Sequence, residues 1–486
     1  MTNIEQEKPF KLNKLQLIAV LIFSGLCWYI SNGLNGDFWY LLWLAPVPIL
    51  TISFGSTPKT TFGVAFIAYL IGRLSWFSYL VSVATLIPAI IFTIALPLIF
   101  ALIIVLSRTT IRKIDSWYAV FVFPVFFTAF EWLLINFSPD GTAASIAYSQ
   151  SDLIQLIQIA SLTGILGISF IVTFIPSALA LGWKYRNDQR KLFPLLLISF
   201  SLLISVFLYG FWRIKNDSNK NTITAGLVVL EEKTHSMDKV DFQVEIQHVR
   251  NYAQRISDLA QKGAKIVVLP ERAININGDI DSITTNILIN TARQNDVFLV
   301  VGYTNLKSNK DRNSSLVIDK TGKLLTDYNK AHLVKVLEDR FTPGNQIGLF
   351  NIDNFQAGTA ICKDLDFPKF IKNYGESNTA LLCVPAWDFI VDDWLHSRMA
   401  ILRGVENGFS IIRTARQGRL TISDSYGKVV TETNCSNGQE TTLLGQVSLA
   451  RTKTFYTQYG EWFGFTIICT SILFIILTIF RKNDKE

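Results

Sequence analysis

Eight apolar stretches, each near the roughly 20 residues that cross a bilayer, decide what this chain can fold into, because they are unevenly placed. Seven come before residue 213: Leu15–Ile30, Phe38–Phe54, Phe62–Val81, Leu86–Leu106, Trp117–Ile135, Ile165–Trp183 and Leu192–Trp212. The eighth is Trp462–Phe480, and residues 213–461 between them have a globular composition. The sequence therefore predicts seven transmembrane helices in residues 1–212, an α/β domain in 213–461, and a closing span with its tail in 462–486. Half of the 486 residues are hydrophobic, and they are gathered into blocks rather than spread through soluble domains. Lys8, Lys11 and Lys14 ahead of the first stretch resemble the start of a signal peptide. No small-residue cleavage site follows, so the stretch is expected to be a retained anchor.

Loop charge gives the expected orientation. Lys59 follows the second span; Arg108, Arg112 and Lys113 follow the fourth; Lys184, Arg186, Arg190 and Lys191 follow the sixth. The loops after spans one, three and five carry no Lys or Arg, and Arg481 and Lys482 follow the eighth span. Positive loops stay cytoplasmic, so both termini are expected in the cytoplasm and the polar block outside it. Arg213 and Lys215 run against this pattern, but a long translocated domain follows it poorly. The net charge of +7 is partly this orientation signal, and nucleic-acid binding is not expected from it.

Within the polar block, Thr222–Glu231, Lys265–Pro270, Val297–Tyr303, Ser314–Ile318, Lys323–Asp327, Gly358–Cys362 and Ala380–Pro385 read as strands, and later strands follow with Tyr426-Gly427 at a turn. Asp241–Gly263, Asp281–Gln294 and Val391–Asn407 read as helices, and residues 213–220 as a linker. Alternating strands and helices predict layered α/β packing. Of the five cysteines, Cys27 and Cys469 fall in spans. Cys362, Cys383 and Cys435 are left, an odd number that implies at least one free thiol. No Cys/His spacing suits a metal, and no cofactor is expected.

Glu271, Lys330 and Cys362 stand at or near strand ends, where α/β scaffolds place reactive groups. A thiolate attacks carbonyls. Glu271 would be its base if burial raised its pKa. Lys330 and the backbone N–H of Lys363 would steady an oxyanion. Taken singly, each has a plainer reading: a small core cysteine, a surface glutamate, a solvated lysine.

The flanking residues favour the chemical reading. Pro270-Glu271, the stretch Tyr328–Val334 (YNKAHLV) and Ile361-Cys362-Lys363-Asp364 resemble the three signatures of the nitrilase, or carbon–nitrogen hydrolase, superfamily. Arg403, Glu406 and Asn407, then Arg413 and Gly418, resemble its downstream helix and strand. The resemblance implies an αββα sandwich with Glu271, Lys330 and Cys362 as a triad. It implies an assisting role for Glu338, whose plainer reading is a solvated loop carboxylate, and it makes His332 a packing or orienting residue rather than a base. Seven spans, an outer domain and one closing span resemble the membrane-embedded branch, the apolipoprotein N-acyltransferases. Glu131-Trp132-Leu133, Tyr148-Ser149-Gln150, Gln158, Ala160, Gly164, Tyr459-Gly460 and Trp462 add local matches.

That branch implies a ping-pong reaction in a bacterial inner membrane. Cys362 would take a fatty acyl group from a phospholipid and pass it to the diacylglyceryl-cysteine amine of a lipoprotein. A monomer is expected. Departures at Lys335-Val336-Leu337-Glu338, the short stretch from Glu338 to Gly344, Lys363-Asp364, and Val384–Phe389 (VPAWDF) keep two alternatives in view. One is a membrane-anchored amidase of the nitrilase type; the other is an inactive scaffold, against which the intact trio argues. Arg73 and Glu131, ionisable residues inside spans, are expected either to line a headgroup path or to form an ion pair.

Overall fold

The structure, a computed structural model, describes residues 13–31, 33–215, 221–231, 242–277, 282–306 and 311–481. Among them, six helices are long and apolar enough to cross a membrane: Pro58–Ala84, Leu86–Ile114, Trp117–Phe137, Ile165–Lys184, Gln189–Lys215 and Trp462–Phe480. They coincide with the third to eighth expected spans. The first two stretches form shorter helices. Lys14–Ile30 has 17 residues. The second breaks into Leu41–Leu44 and Pro46–Ser53, because proline at position 46 removes an N–H and suits a helix start rather than a helix interior.

The basic loops gather at one end of the bundle. Asp115 pairs with Lys184 at 2.8 Å and Lys191 at 2.7 Å. Arg108 donates to the carbonyls of Ser53 and Ser56, and Lys113 to that of Thr478. Loops after alternate helices thus share an end, as a serpentine bundle requires.

The α/β domain has two sheets among the described residues. The first contains β1 (Thr222–Val229), β2 (Ile266–Val268), β3 (Ile274–Asn277), β4 (Phe298–Leu306), β5 (Arg312–Ile318), β6 (Leu324–Asn329) and β13 (Thr441–Ser448). Its order is β13-β1-β2-β4-β5-β6, with β3 also paired to β4. The second holds β7 (Gly348–Ile352), β8 (Phe355–Thr359), β9 (Leu381–Trp387), β10 (Ser410–Arg416), β11 (Arg419–Ser423) and β12 (Val429–Asn434), in reverse chain order.

Strand alternation builds the layers. Ile266, Val268, Phe298 and Val300 meet Leu381, Cys383, Ile412 and Leu420 between the sheets. The intervening Val267, Leu299 and Val301 face the helices Phe242–Gln261 and Ser282–Asn295. Leu382, Val384 and Ile411 face helices Pro368–Glu376 and Asp393–Asn407. The result is helix, sheet, sheet, helix. Strands covered on both faces need continuous apolar runs, which is why KIVVLP carries so little alternation. Each buried Val, Ile or Leu contributes about 1.5–3 kcal/mol.

The helix Asp393–Asn407 joins the two parts. Its Trp394, Leu395, Met399, Leu402 and Val405 belong to the apolar core of the bundle. Arg403 and Glu406, both fully buried, lie 2.8 Å apart. Arg403 donates to Tyr148 Oη at 2.9 Å, and Glu406 accepts from the N–H of Ile165, the first residue of a membrane helix, at 2.9 Å. A carboxylate there satisfies an orphan amide and favours the helix dipole.

Several expectations are corrected. β8 ends at Thr359, not at the cysteine, because Cys362 takes φ +42° and opens a 3-10 helix, Cys362–Asp366. β3, β7 and helix Pro368–Glu376 were not expected. The helix Gln189–Lys215 runs into the first residues of the expected linker, whose remainder lies outside the described residues. Lys8, Lys11 and Lys482 also lie outside them. Cys27, Cys362, Cys383, Cys435 and Cys469 are all free thiols.

Candidate active site

Three loops bring the expected residues together. Glu271 lies just beyond β2, in a turn where Arg272 adopts φ +52°. Opposite that turn, β4 has Gly302, where a Cβ would stand 2.1 Å from the Pro270 carbonyl oxygen. Only glycine lets the two backbones approach so closely. Lys330 follows β6, and its backbone is tied by Lys330 N–H to Asn313 C=O at 2.9 Å and by Gly344 N–H to Lys330 C=O at 2.8 Å. Cys362 stands at the head of its 3-10 helix with left-handed backbone, a strained conformation that the surrounding loops hold.

Lys330 Nζ sits between two carboxylates, 2.7 Å from Glu271 Oε1 and 2.8 Å from Glu338 Oε2. Asn313 Nδ2 donates to both acids at 2.6 Å, and Val334 N–H donates to Glu338 at 2.7 Å. Lys330, Glu271 and Glu338 are 1 %, 2 % and 5 % exposed, so the solvated readings of the lysine and the glutamates do not describe them. Asn313 was not anticipated: one asparagine on a strand gives no sequence signal until β5 pairs with β6.

Burial pushes the Glu271 carboxyl above the ordinary glutamate range; Lys330 opposes this, and the charge of Glu338 adds to it. Burial would raise Glu338 too, but Lys330 and donors from Lys330, Val334 and Asn313 hold it below the usual value. Burial would lower Lys330, yet the two glutamates keep its ammonium firmly charged. Burial and the charge of Glu271 raise the Cys362 thiol well above an ordinary cysteine. Both shifts favour the protonated form, of the Cys362 thiol and of the Glu271 carboxyl alike. The Cys362 Sγ lies 3.4 Å from the carbonyl oxygen of Trp387.

Asp364 locks the lysine and cysteine loops together. Fully buried, it accepts from Tyr328 Oη at 2.7 Å and from the N–H groups of Ala331, His332 and Ile361 at 3.1, 2.8 and 3.0 Å. His332 Nδ1 lies 3.1 Å from the same carboxylate, and its ring stacks on Phe367. These contacts tie the His332 side chain to both loops. Lys363 is the second residue of the 3-10 helix, a position whose N–H has no partner within the helix. Its side chain reaches Asp140 of the bundle at 2.6 Å.

Beside the cysteine, Arg413 makes a two-pronged pair with Asp388, with one contact of 2.9 Å. His396 lies 3.4 Å from Asp388 and 3.2 Å from Asp392, which together raise it to about 9 against the opposing effect of burial. This network fills the altered segment around Trp387.

The trio opens onto a cavity of about 640 Å³ between the α/β domain and the bundle. Glu271, Lys330, Glu338 and Cys362 form one wall, and Leu80, Val83, Pro88, Phe92, Leu96 and Leu134 of the membrane helices form another. Its two walls suit a molecule with a long apolar part and a reactive carbonyl. Arg73 also lines it. Glu131 does not pair with Arg73: it accepts from Ile146 N–H at 2.8 Å and Ser145 Oγ at 3.3 Å, holding the turn Ile146–Gln150.

Residues 24–178 match the family model of the apolipoprotein N-acyltransferase N-terminal domain, and residues 233–456 that of carbon–nitrogen hydrolases. The chain is 23 % identical to the apolipoprotein N-acyltransferase of Geobacter metallireducens, covering 91 % of this chain and 92 % of the relative. With the apolipoprotein N-acyltransferase of Rickettsia prowazekii it shares 26 % identity over 79 % of this chain and 80 % of the relative. The 2-oxoglutaramate amidase of Bacillus subtilis is 29 % identical, but over 24 % of this chain and 46 % of the amidase.

Proposed function

This chain belongs to the apolipoprotein N-acyltransferases, the membrane-embedded branch of the carbon–nitrogen hydrolase superfamily, and from that premise we propose that it moves a fatty acyl group from a phospholipid to the N-terminal amine of a lipoprotein's diacylglyceryl-cysteine. The observation that carries the proposal is the shared cavity: one wall reactive, the other apolar and contributed by membrane helices.

In the first half-reaction, Glu271 takes the proton of the Cys362 thiol as sulfur attacks an ester carbonyl of the lipid. Lys330 and the Lys363 N–H face the oxyanion. The C–O bond breaks, the leaving alkoxide takes the proton from Glu271, and a lysophospholipid departs. An acyl thioester remains on Cys362. In the second, the free amine attacks the thioester, Glu271 takes an amine proton, the C–S bond breaks, and the proton returns to sulfur. The product is an amide. Glu338 assists by holding Lys330 charged and Glu271 in place. The apolar wall keeps water from the thioester, which a transferase needs and a hydrolase does not.

We place the outer domain outside the cytoplasm of a bacterial inner-membrane protein. The basic loops that gather at the far end of the bundle support this. In whole cells, an impermeant maleimide should label Asn437→Cys and spare Arg186→Cys; the reverse pattern would turn the topology over.

Intact-mass measurement of the purified protein with phospholipid tests the chemistry. One acyl mass should appear, should be absent in Cys362→Ala, and should pass to a diacylated lipopeptide on its addition. Release of free fatty acid alone, with lipopeptide present, would return the amidase reading. That reading has less support, since the amidase match covers 24 % of this chain whereas an acyltransferase relative covers 91 % of it.

A further inference from the structure

Arg73 takes no part in the chemistry above, yet it stands in the wall of the reaction cavity. It is 9 % exposed, at the point where the helix Pro58–Arg73 tightens into the 3-10 turn Leu74–Trp76. Its guanidinium carbon lies 4.5 Å from the centre of the Trp76 ring. Its buried Nε has no hydrogen-bond partner among the described residues, and no carboxylate pairs with it there. A guanidinium held among apolar helices is costly unless an anion meets it.

The other buried or half-buried cations of the cavity are engaged. Lys330 has Glu271 and Glu338, Arg413 has Asp388, and Lys363 has Asp140. Arg272 lies over the rings of Phe341 and Trp387, and Lys335 is exposed. Arg73 also has the right height. The adjacent Gly72 packs against Trp28, in the last turn of helix Lys14–Ile30, and Gly36 just beyond that helix packs against Trp394 of the outer domain. Arg73 is therefore at the domain-facing end of the bundle, the level of lipid headgroups.

We propose that Arg73 binds the phosphodiester of the acyl donor, and so selects glycerophospholipids over uncharged acylglycerols. A planar guanidinium offers paired N–H donors that fit two phosphate oxygens. The inference rests on the acyl-transfer reading. It confines Arg73 to the first half-reaction, since the acceptor needs no phosphate there.

The test compares thioester formation on Cys362 from phosphatidylglycerol and from diacylglycerol, which carries the same esters without the phosphate. Wild type should prefer the phospholipid by about tenfold to a hundredfold, the worth of a charge-assisted contact. Arg73→Met should lose that preference while reacting with diacylglycerol as wild type does, and Arg73→Lys should keep part of it. Passage of the acyl group from a preformed thioester to lipopeptide should be unchanged in both variants. An equal loss with both donors would make Arg73 structural and overturn the proposal. So would an unchanged preference in Arg73→Met. Suppression of the phospholipid reaction by inorganic phosphate at concentrations below that of the lipid would assign the site to the free ion instead. If wild type gains no acyl mass from either donor, the acyl-transfer reading itself falls; if it does and Arg73→Met behaves identically, the role of Arg73 falls by itself.

Discussion

Three charges decide the behaviour of the reactive residues. Glu271 and Glu338 share the Lys330 ammonium at 2.7 and 2.8 Å, leaving one negative charge in excess when both acids are ionised. That excess falls on Glu271, which burial and Glu338 push upward. In the proposed mechanism Glu271 must be ionised to take the thiol proton, so acylation should fail as pH drops through its folded pKa. The acid limb should therefore lie above that of an unperturbed glutamate, about 4.3. Glu338→Gln removes the negative neighbour and leaves Lys330 to Glu271, and both effects shift the limb to lower pH. Single-turnover acylation rates across the acid range measure this. A limb that does not move would separate Glu338 from the base. Glu271→Gln should cost about a hundredfold to ten-thousandfold in the same assay.

Loops rather than strands hold these residues in register. Asp364 gathers donors from Tyr328 near the end of β6, from the segment after β6 and from the segment before the 3-10 helix. Asp364→Ala should strand several buried donors, costing about 3 kcal/mol or more. The melting temperature in detergent should fall, and acylation with it. Asp364→Asn, which keeps one acceptor oxygen, should recover part of both. Unchanged melting in Asp364→Ala would show that the loops hold without it. This scale also shows what the chain reveals by itself. Glu271, Lys330 and Cys362 were visible because chemistry and flanking residues coincide at each. The roles of Asn313 and Asp364 were not, because their value comes from partners that the pairing of β5 with β6 and the packing of the two sheets bring near. The strand at Gly358–Cys362 was overextended because its apolar run continues through Ala360 and Ile361, which are buried without joining the sheet. β3 was missed because ININ alternates on too short a run.

The whole molecule works as two units with one wall between them. Periodicity disclosed each unit, but not that the helix Asp393–Asn407 would bury one face in the bundle and another in the sandwich. The docking pair Arg403–Glu406 is fully buried, so removing one partner strands the other. Arg403→Met should cost about 3–5 kcal/mol. Adding Glu406→Leu should restore much of that, less about 1 kcal/mol for the uncapped Ile165 amide. Thermal unfolding of the two single variants and the double variant closes the cycle. Strict additivity would mean that the charges do not sense each other.

The raised thiol of Cys362 has a consequence beyond acyl transfer. Oxidants and alkylating agents consume thiolates, not thiols. An enzyme that stores its sulfur as an ion pair is exposed to them between turnovers; the raised Cys362 thiol favours keeping its proton at rest. Iodoacetamide at neutral pH should therefore modify Cys362 more slowly than free cysteine in the same solution. Chemical reticence of this kind would let a reactive sulfur persist in an oxidising surrounding without a disulfide to guard it.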